Sequence, residues 1–123
     1  MKLVYIAGPY RGPTREAVEL NIACARRIGV LVAKHGHYPV IPHSKTAGFE
    51  HIAPDIHDEF WLAGTLELMR RCDAVVLCPG WKTSSGTLTE VDVADSVDMQ
   101  IYETVEDFLS EVEKCTNSTI TKL

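Results

Sequence analysis

The chain has no Cys-x-x-Cys pair, no run of five or more basic residues and no apolar stretch near the roughly 18 residues of a membrane span. Each absence removes a class of function. The four cysteines, Cys24, Cys72, Cys78 and Cys115, lie far apart and mostly in apolar segments, so they read as buried free thiols rather than zinc ligands. None of the five histidines is spaced as H-x-x-x-H or H-E-x-x-H, and His35 and His37 merely flank a glycine, so no metal site is expected. A net charge of −5 and the lack of a basic run argue against nucleic acid as partner, because a phosphate backbone needs a cationic face. Met1-Lys2-Leu3 leads into a strand signal and not a signal sequence, so the expected compartment is the cytoplasm, with no membrane contact. There is no internal repeat and no linker. What remains is an ordinary globular composition, 46% apolar and 24% charged, in a 123-residue chain long enough for one core.

The chain is organised around the stretch from Cys72 to Glu90. Ala74-Val75-Val76-Leu77 is a β-branched apolar run closed by Pro79-Gly80, the signature of a strand buried on both faces. A polar turn with Ser84, Ser85 and Gly86 follows, then a helix around Leu88, Val91 and Ala94 that places Glu90 about one turn in. First-turn N–H groups of such a helix attract anions, and a carboxylate one turn further on can face the same crevice.

Lys2 to Ala7 is a second buried-strand signal, ending in the turn-rich loop from Gly8 to Pro13. Thr14 or Gly12 can cap the next helix, where Ala17, Leu20, Cys24, Ile28 and Leu31 recur at helical spacing up to a left-handed stop at Gly36. His37 to Ile41 reads as a short strand. Pro42 to Asp55 lacks periodicity and is expected to be a lid or binding loop. Ile56 to Arg71 reads as a helix on Phe60, Leu62 or Ala63, Leu66 and Met69 or Arg70, with Trp61 on its flank. Met99 to Tyr102 reads as an edge strand, Glu103 to Lys114 as a helix on Val105, Phe108, Leu109 and Val112, and 115–123 as a frayed tail beyond a domain of residues 1–114. Alternating strands and helices in this number give an α/β three-layer sandwich, flavodoxin- or Rossmann-like, around a parallel sheet of four or five strands in the order 2-1-3-4. Its ligand crevice lies beyond the carboxyl ends of strands one and three, between the Gly8–Gly12 and Trp81–Gly86 loops.

Several residues there suit chemistry. Arg11, between Gly8 and Gly12, can offer a bidentate fork to a phosphate, though it would serve equally as a surface arginine beside a tight turn. The full G-x-G-x-x-G pattern and the P-loop lysine are missing, so neither a dinucleotide nor a nucleoside triphosphate is indicated. Ser84 and Ser85 can donate to an anion or simply cap the helix; Glu90 can be a nucleophile, a general acid or base, or a solvated helix glutamate. Trp81 can stack on a base, and Tyr5, packed on its strand, can send its hydroxyl toward the crevice.

Tyr5 to Gly12 (Tyr-Ile-Ala-Gly-Pro-Tyr-Arg-Gly), Asn21, Cys72-Asp73, Pro79-Gly80-Trp81, Ser84, Gly86 and Glu90 together resemble the nucleoside 2-deoxyribosyltransferase-like superfamily, over roughly residues 2 to 102. The likeness is to a branch of small proteins common in phages and prophages, related to the 2'-deoxynucleoside 5'-phosphate N-hydrolases. It implies cleavage or transfer at the bond between base and deoxyribose, with Glu90 attacking C1'. It implies that Gly8, Arg11 and Gly12 hold the 5'-phosphate or sugar, that Ser84 binds phosphate, and that Tyr10 and Trp81 border the pocket. It also implies a small nucleoside or nucleotide as ligand, no cofactor, and a homodimer or higher homo-oligomer. One position departs from the pattern. Where such enzymes carry an aspartate that assists the departing base, this chain has Thr65, which cannot ionise. A nucleotide-binding or sensing module that has lost catalysis is the alternative expectation.

Overall fold

In the computed structural model β1 (Leu3–Ala7) and β3 (Ala74–Leu77) lie side by side at the centre of a four-stranded, all-parallel sheet. Outside them lie β2 (Tyr38–Val40), against β1, and β4 (Gln100–Tyr102), against β3. The strand order is therefore 2-1-3-4, as the alternation predicts, with no fifth strand among the described residues. The structure describes residues 1–42 and 49–122, the side chains of Glu50 and of 115–122 excepted. The Val4↔Ala74 and Tyr5↔Val75 register is anchored at its start by Asp73, whose Oδ2 accepts the Leu3 N–H at 2.7 Å.

Because strand side chains alternate, the sheet builds two cores. Val4, Ile6, Val76 and Cys78 point to one face, where α1 (Arg15–Lys34) and α5 (Val105–Lys122) cover them with Ala25, Ile28, Val32, Val105, Phe108 and Val112. Tyr5, Ala7, Val75 and Leu77 point to the other, under α3 (Asp58–Arg70) and α4 (Ser85–Ser96), which add Met69 and Ala94. Burying each large apolar side chain contributes about 1.5–3 kcal/mol, so both faces are needed to hold the sheet.

The helix ends follow local chemistry. Thr14 caps α1 by accepting the Ala17 N–H, and Gly36 takes φ +86° after its last turn. The buried stripe of α1 is Ala25, Ile28, Gly29 and Val32, turned from the expected one, so that Leu20 is 71% exposed. β2 begins at Tyr38 because the His37 N–H still bonds back to the Val32 carbonyl, and β4 begins at Gln100 because the Met99 N–H closes the end of α4 on Ala94. α3 starts at Asp58, later than the Ile56 expected, and α5 starts at Val105 because Thr104 accepts the Asp107 N–H as its cap. α5 runs to Lys122, through the stretch whose composition suggested fraying. Thr, Ser and Asn each cost only a few tenths of a kcal/mol in a helix, and one already seated on Phe108 and Val112 propagates through them. Of the expected lid, 43–48 lie outside the described residues; within the remainder, α2 (Phe49–Ile52) is a single helical turn too short to show a period.

Candidate active site

Tyr5 is the largest side chain on the central strand and is wholly buried, so its phenol needs an internal partner. It donates to Glu90 Oε2. Glu90 reaches the sheet because the inward stripe of α4 is Thr87, Glu90 and Ala94, while Leu88, an expected core position, is exposed. Ser84 sets the phase of that helix: its Oγ accepts the Thr87 N–H at 3.3 Å and the Thr87 hydroxyl at 2.8 Å.

An ionised carboxylate is costly to bury, and Glu90 is only 8% exposed. Loss of hydration pushes its pKa up to about 7, against which the Tyr5 hydrogen bond pulls downward. The Tyr5 phenol is driven far above its ordinary range by the same burial and by the Glu90 charge. The Thr65 hydroxyl, on α3, lies beside the Tyr5 phenol and opposes that rise, and it donates its proton to the Leu62 carbonyl at 2.9 Å. Three elements thus meet at this buried pair: β1 through Tyr5, α4 through Glu90, and α3 through Thr65 beside the phenol.

The loops beyond β1 and β3 touch each other, since a Cβ at Gly80 would lie 3.5 Å from Pro9 Cγ. Asn21 Nδ2 holds the first loop by donating to the carbonyls of Tyr10 at 3.2 Å and Arg11 at 3.4 Å. Gly8 and Gly12 are set by packing: a Cβ would fall 2.4 Å from Cys78 Cβ at Gly8 and 2.7 Å from Ala17 Cβ at Gly12. The Arg11 guanidinium pairs with Asp58 at 2.7 Å, an exposed bridge between the first loop and the start of α3. Ser84 is half-buried and acts as the cap, Ser85 is exposed, and Gly86 opens on empty space in the first turn of α4. Trp81 begins a short 3-10 turn, packs partly on the Tyr5 side of the core, and carries the Lys82 ammonium 5.6 Å from its ring centre. It also lines a cleft of about 420 Å³ with Arg27, Pro79, Glu103 and Val105, whose lining does not include Arg11, Ser84 or Glu90.

A family model described as a domain of unknown function (DUF7768) matches residues 2–104. The chain belongs to that family. The DUF7768 match starts with β1 and ends at Thr104, the cap of α5, so it contains Tyr5, Thr65 and Glu90. No curated protein matches the chain. Among the described residues, no three His, Cys, Asp or Glu side chains come together as metal ligands.

Glu90 and the capping Ser84 are legible in the sequence. Tyr5 reads there mainly as packing, although a hydroxyl in the middle of a buried strand is itself a signal that a polar partner exists. Trp61, which reads as lying on the flank of its helix, is half-buried there, with its indole N–H buried.

Proposed function

We propose that this DUF7768 domain cleaves the N-glycosidic bond of a 2'-deoxynucleoside or its 5'-monophosphate, with Glu90 as nucleophile. The observation that carries this reading is the buried Glu90 carboxylate fixed by the Tyr5 hydroxyl, on the helix that follows the central strand β3. In the step proposed, a Glu90 oxygen bonds to C1' as the C1'–N bond breaks and the base leaves with the bonding electrons. Water, or a second base, then displaces the carboxylate from C1'. The Tyr5 hydrogen bond holds one carboxylate oxygen and leaves the other for attack. A poorly hydrated carboxylate also suits the cationic character that develops at C1'. With its pKa pushed up to about 7 by burial, Glu90 exchanges its proton near neutrality, and the step proposed draws on no metal or organic cofactor.

Arg11 supports the 5'-monophosphate as one form of substrate. Its bond to Asp58 is exposed, and exposed pairs contribute at most about 1 kcal/mol, so a phosphate can take the guanidinium over. Thr65 favours the second reading, a domain that binds the nucleotide without cleaving it, since the residue beside Tyr5 cannot transfer a proton to the base. Incubation with deoxynucleosides and their 5'-monophosphates separates the two. Release of free base that disappears in Glu90→Ala supports cleavage, and thermal stabilisation by the same compounds without release supports binding alone.

A further inference from the structure

One buried side-chain polar atom among the described residues has no hydrogen-bond partner: Nε1 of Trp61. Leaving a buried N–H unpaired costs about 1–3 kcal/mol, and such a group calls for an explanation. Its place in the helix supplies one. Asp58, Trp61 and Thr65 follow one another at the i, i+3, i+7 spacing that puts them on one face of α3. At one end of that face Asp58 pairs with Arg11 of the first loop; at the other Thr65 meets Tyr5, which holds Glu90. Trp61 stands between them, and helical side chains lean toward the helix N-terminus, here the loop side. Its ring meets Phe60 edge-on at 5.3 Å and Phe49 at 5.7 Å, and both phenylalanines are exposed, 62% and 42%. An unused donor flanked by two exposed aromatic rings therefore lies one helical turn from Thr65, on the face of α3 that meets Tyr5.

We propose that the Trp61 indole N–H is the hydrogen-bond donor to the departing nucleobase, an inference that rests on the glycosidic reading above. As the C1'–N bond breaks, its electron pair stays with the base and spreads over ring nitrogens and carbonyl oxygens. One of those atoms accepts from Nε1, more strongly in the transition state than in the intact nucleoside. The base then takes its proton from water. The indole thus supplies by hydrogen bonding what Thr65 cannot supply by proton transfer. The ligand class is a planar base with an acceptor atom, seated against the Trp61, Phe49 and Phe60 rings.

The chain has two tryptophans, so an 15N-labelled Glu90→Gln protein shows two indole N–H resonances, told apart by Trp61→Phe. The probes are 2'-deoxyadenosine, 2'-deoxycytidine, thymidine, their 5'-monophosphates, and 2-deoxyribose 5-phosphate, which has no base. The expected result is a downfield shift of the Trp61 indole proton with the nucleosides and nucleotides and none with the base-free sugar phosphate. In the protein with Glu90 intact, Trp61→Phe keeps an aromatic ring and is expected to lower kcat roughly ten- to hundredfold, most for bases that leave poorly, with KM little changed. Ligand shifts around Glu90 with an unmoved Trp61 resonance, or an unaltered kcat in Trp61→Phe, would overturn this inference and leave the Glu90 reading standing. No perturbation by any probe would overturn both.

Discussion

The phenol of Tyr5, on the central strand, donates to the carboxylate of Glu90, which lies 85 residues away on α4, and both side chains are buried. A carboxylate in this position is restrained but poorly hydrated. Its chemistry therefore depends on one hydrogen bond more than on any neighbouring charge.

Tyr5→Phe removes that bond and keeps the ring. The Tyr5 bond lowers the Glu90 pKa, so its loss moves the ionisation upward from about 7. Base release in wild type is expected to rise with pH through about 7, as the nucleophile ionises, and the rise in Tyr5→Phe to come at higher pH. Rate profiles between pH 5 and pH 9 measure this; superimposable profiles would detach Tyr5 from the reaction.

Glu90 also makes stability depend on pH. Its folded pKa of about 7 lies above the ordinary value of 4.5, so the folded state holds the proton more tightly. The stabilisation is fully present below pH 4.5 and is lost as pH rises through about 7. Relative to wild type, Glu90→Gln is expected to gain about 2–3 kcal/mol between pH 5 and pH 8. Urea unfolding of both proteins at the two pH values checks it, and a constant difference would contradict it.

Much of this architecture is legible in the chain. The runs Leu3–Ala7 and Ala74–Leu77 announce buried strands because β-branched and apolar residues fill both faces, and the intervening helix and short strand fix the parallel order. Glu90 is legible as a candidate from its place after a strand and a Gly/Ser turn. Its burial is not, because helical spacing favoured Leu88 and Val91, and tertiary packing rotated α4 to bring Thr87 and Glu90 inward. The pairings of Glu90 with Tyr5 and of Arg11 with Asp58 join residues 85 and 47 positions apart, which no local pattern encodes. The exposure of Phe60 and the burial of the Trp61 N–H likewise depend on how α3 settles on the sheet.

Two glycines of the candidate site should respond oppositely to a methyl group. Gly8→Ala places a Cβ 2.4 Å from Cys78 Cβ between the two central strands, and overpacking of this kind costs about 1–3 kcal/mol. Gly86→Ala meets nothing within 4 Å in the first turn of a helix and is expected to be neutral or stabilising by up to about 1 kcal/mol. Thermal unfolding of the two variants decides, and equal effects would contradict the packing described.

The Arg11–Asp58 pair predicts a split between ligands. Asp58→Asn should leave stability within about 1 kcal/mol, because the pair is exposed, yet free the guanidinium for a phosphate. Tighter binding of 5'-monophosphates with unchanged binding of nucleosides, read by calorimetry, is the expected outcome. An equal change for both would remove Arg11 from the phosphate's neighbourhood.

The central claim is that Glu90 breaks a glycosidic bond, and chromatography of free base tests it most directly. Purified protein and its Glu90→Ala variant are incubated with the deoxynucleosides and their 5'-monophosphates. The account predicts release of base by the first and none above background by the second. Equal release by both proteins, or no release by either, would contradict it.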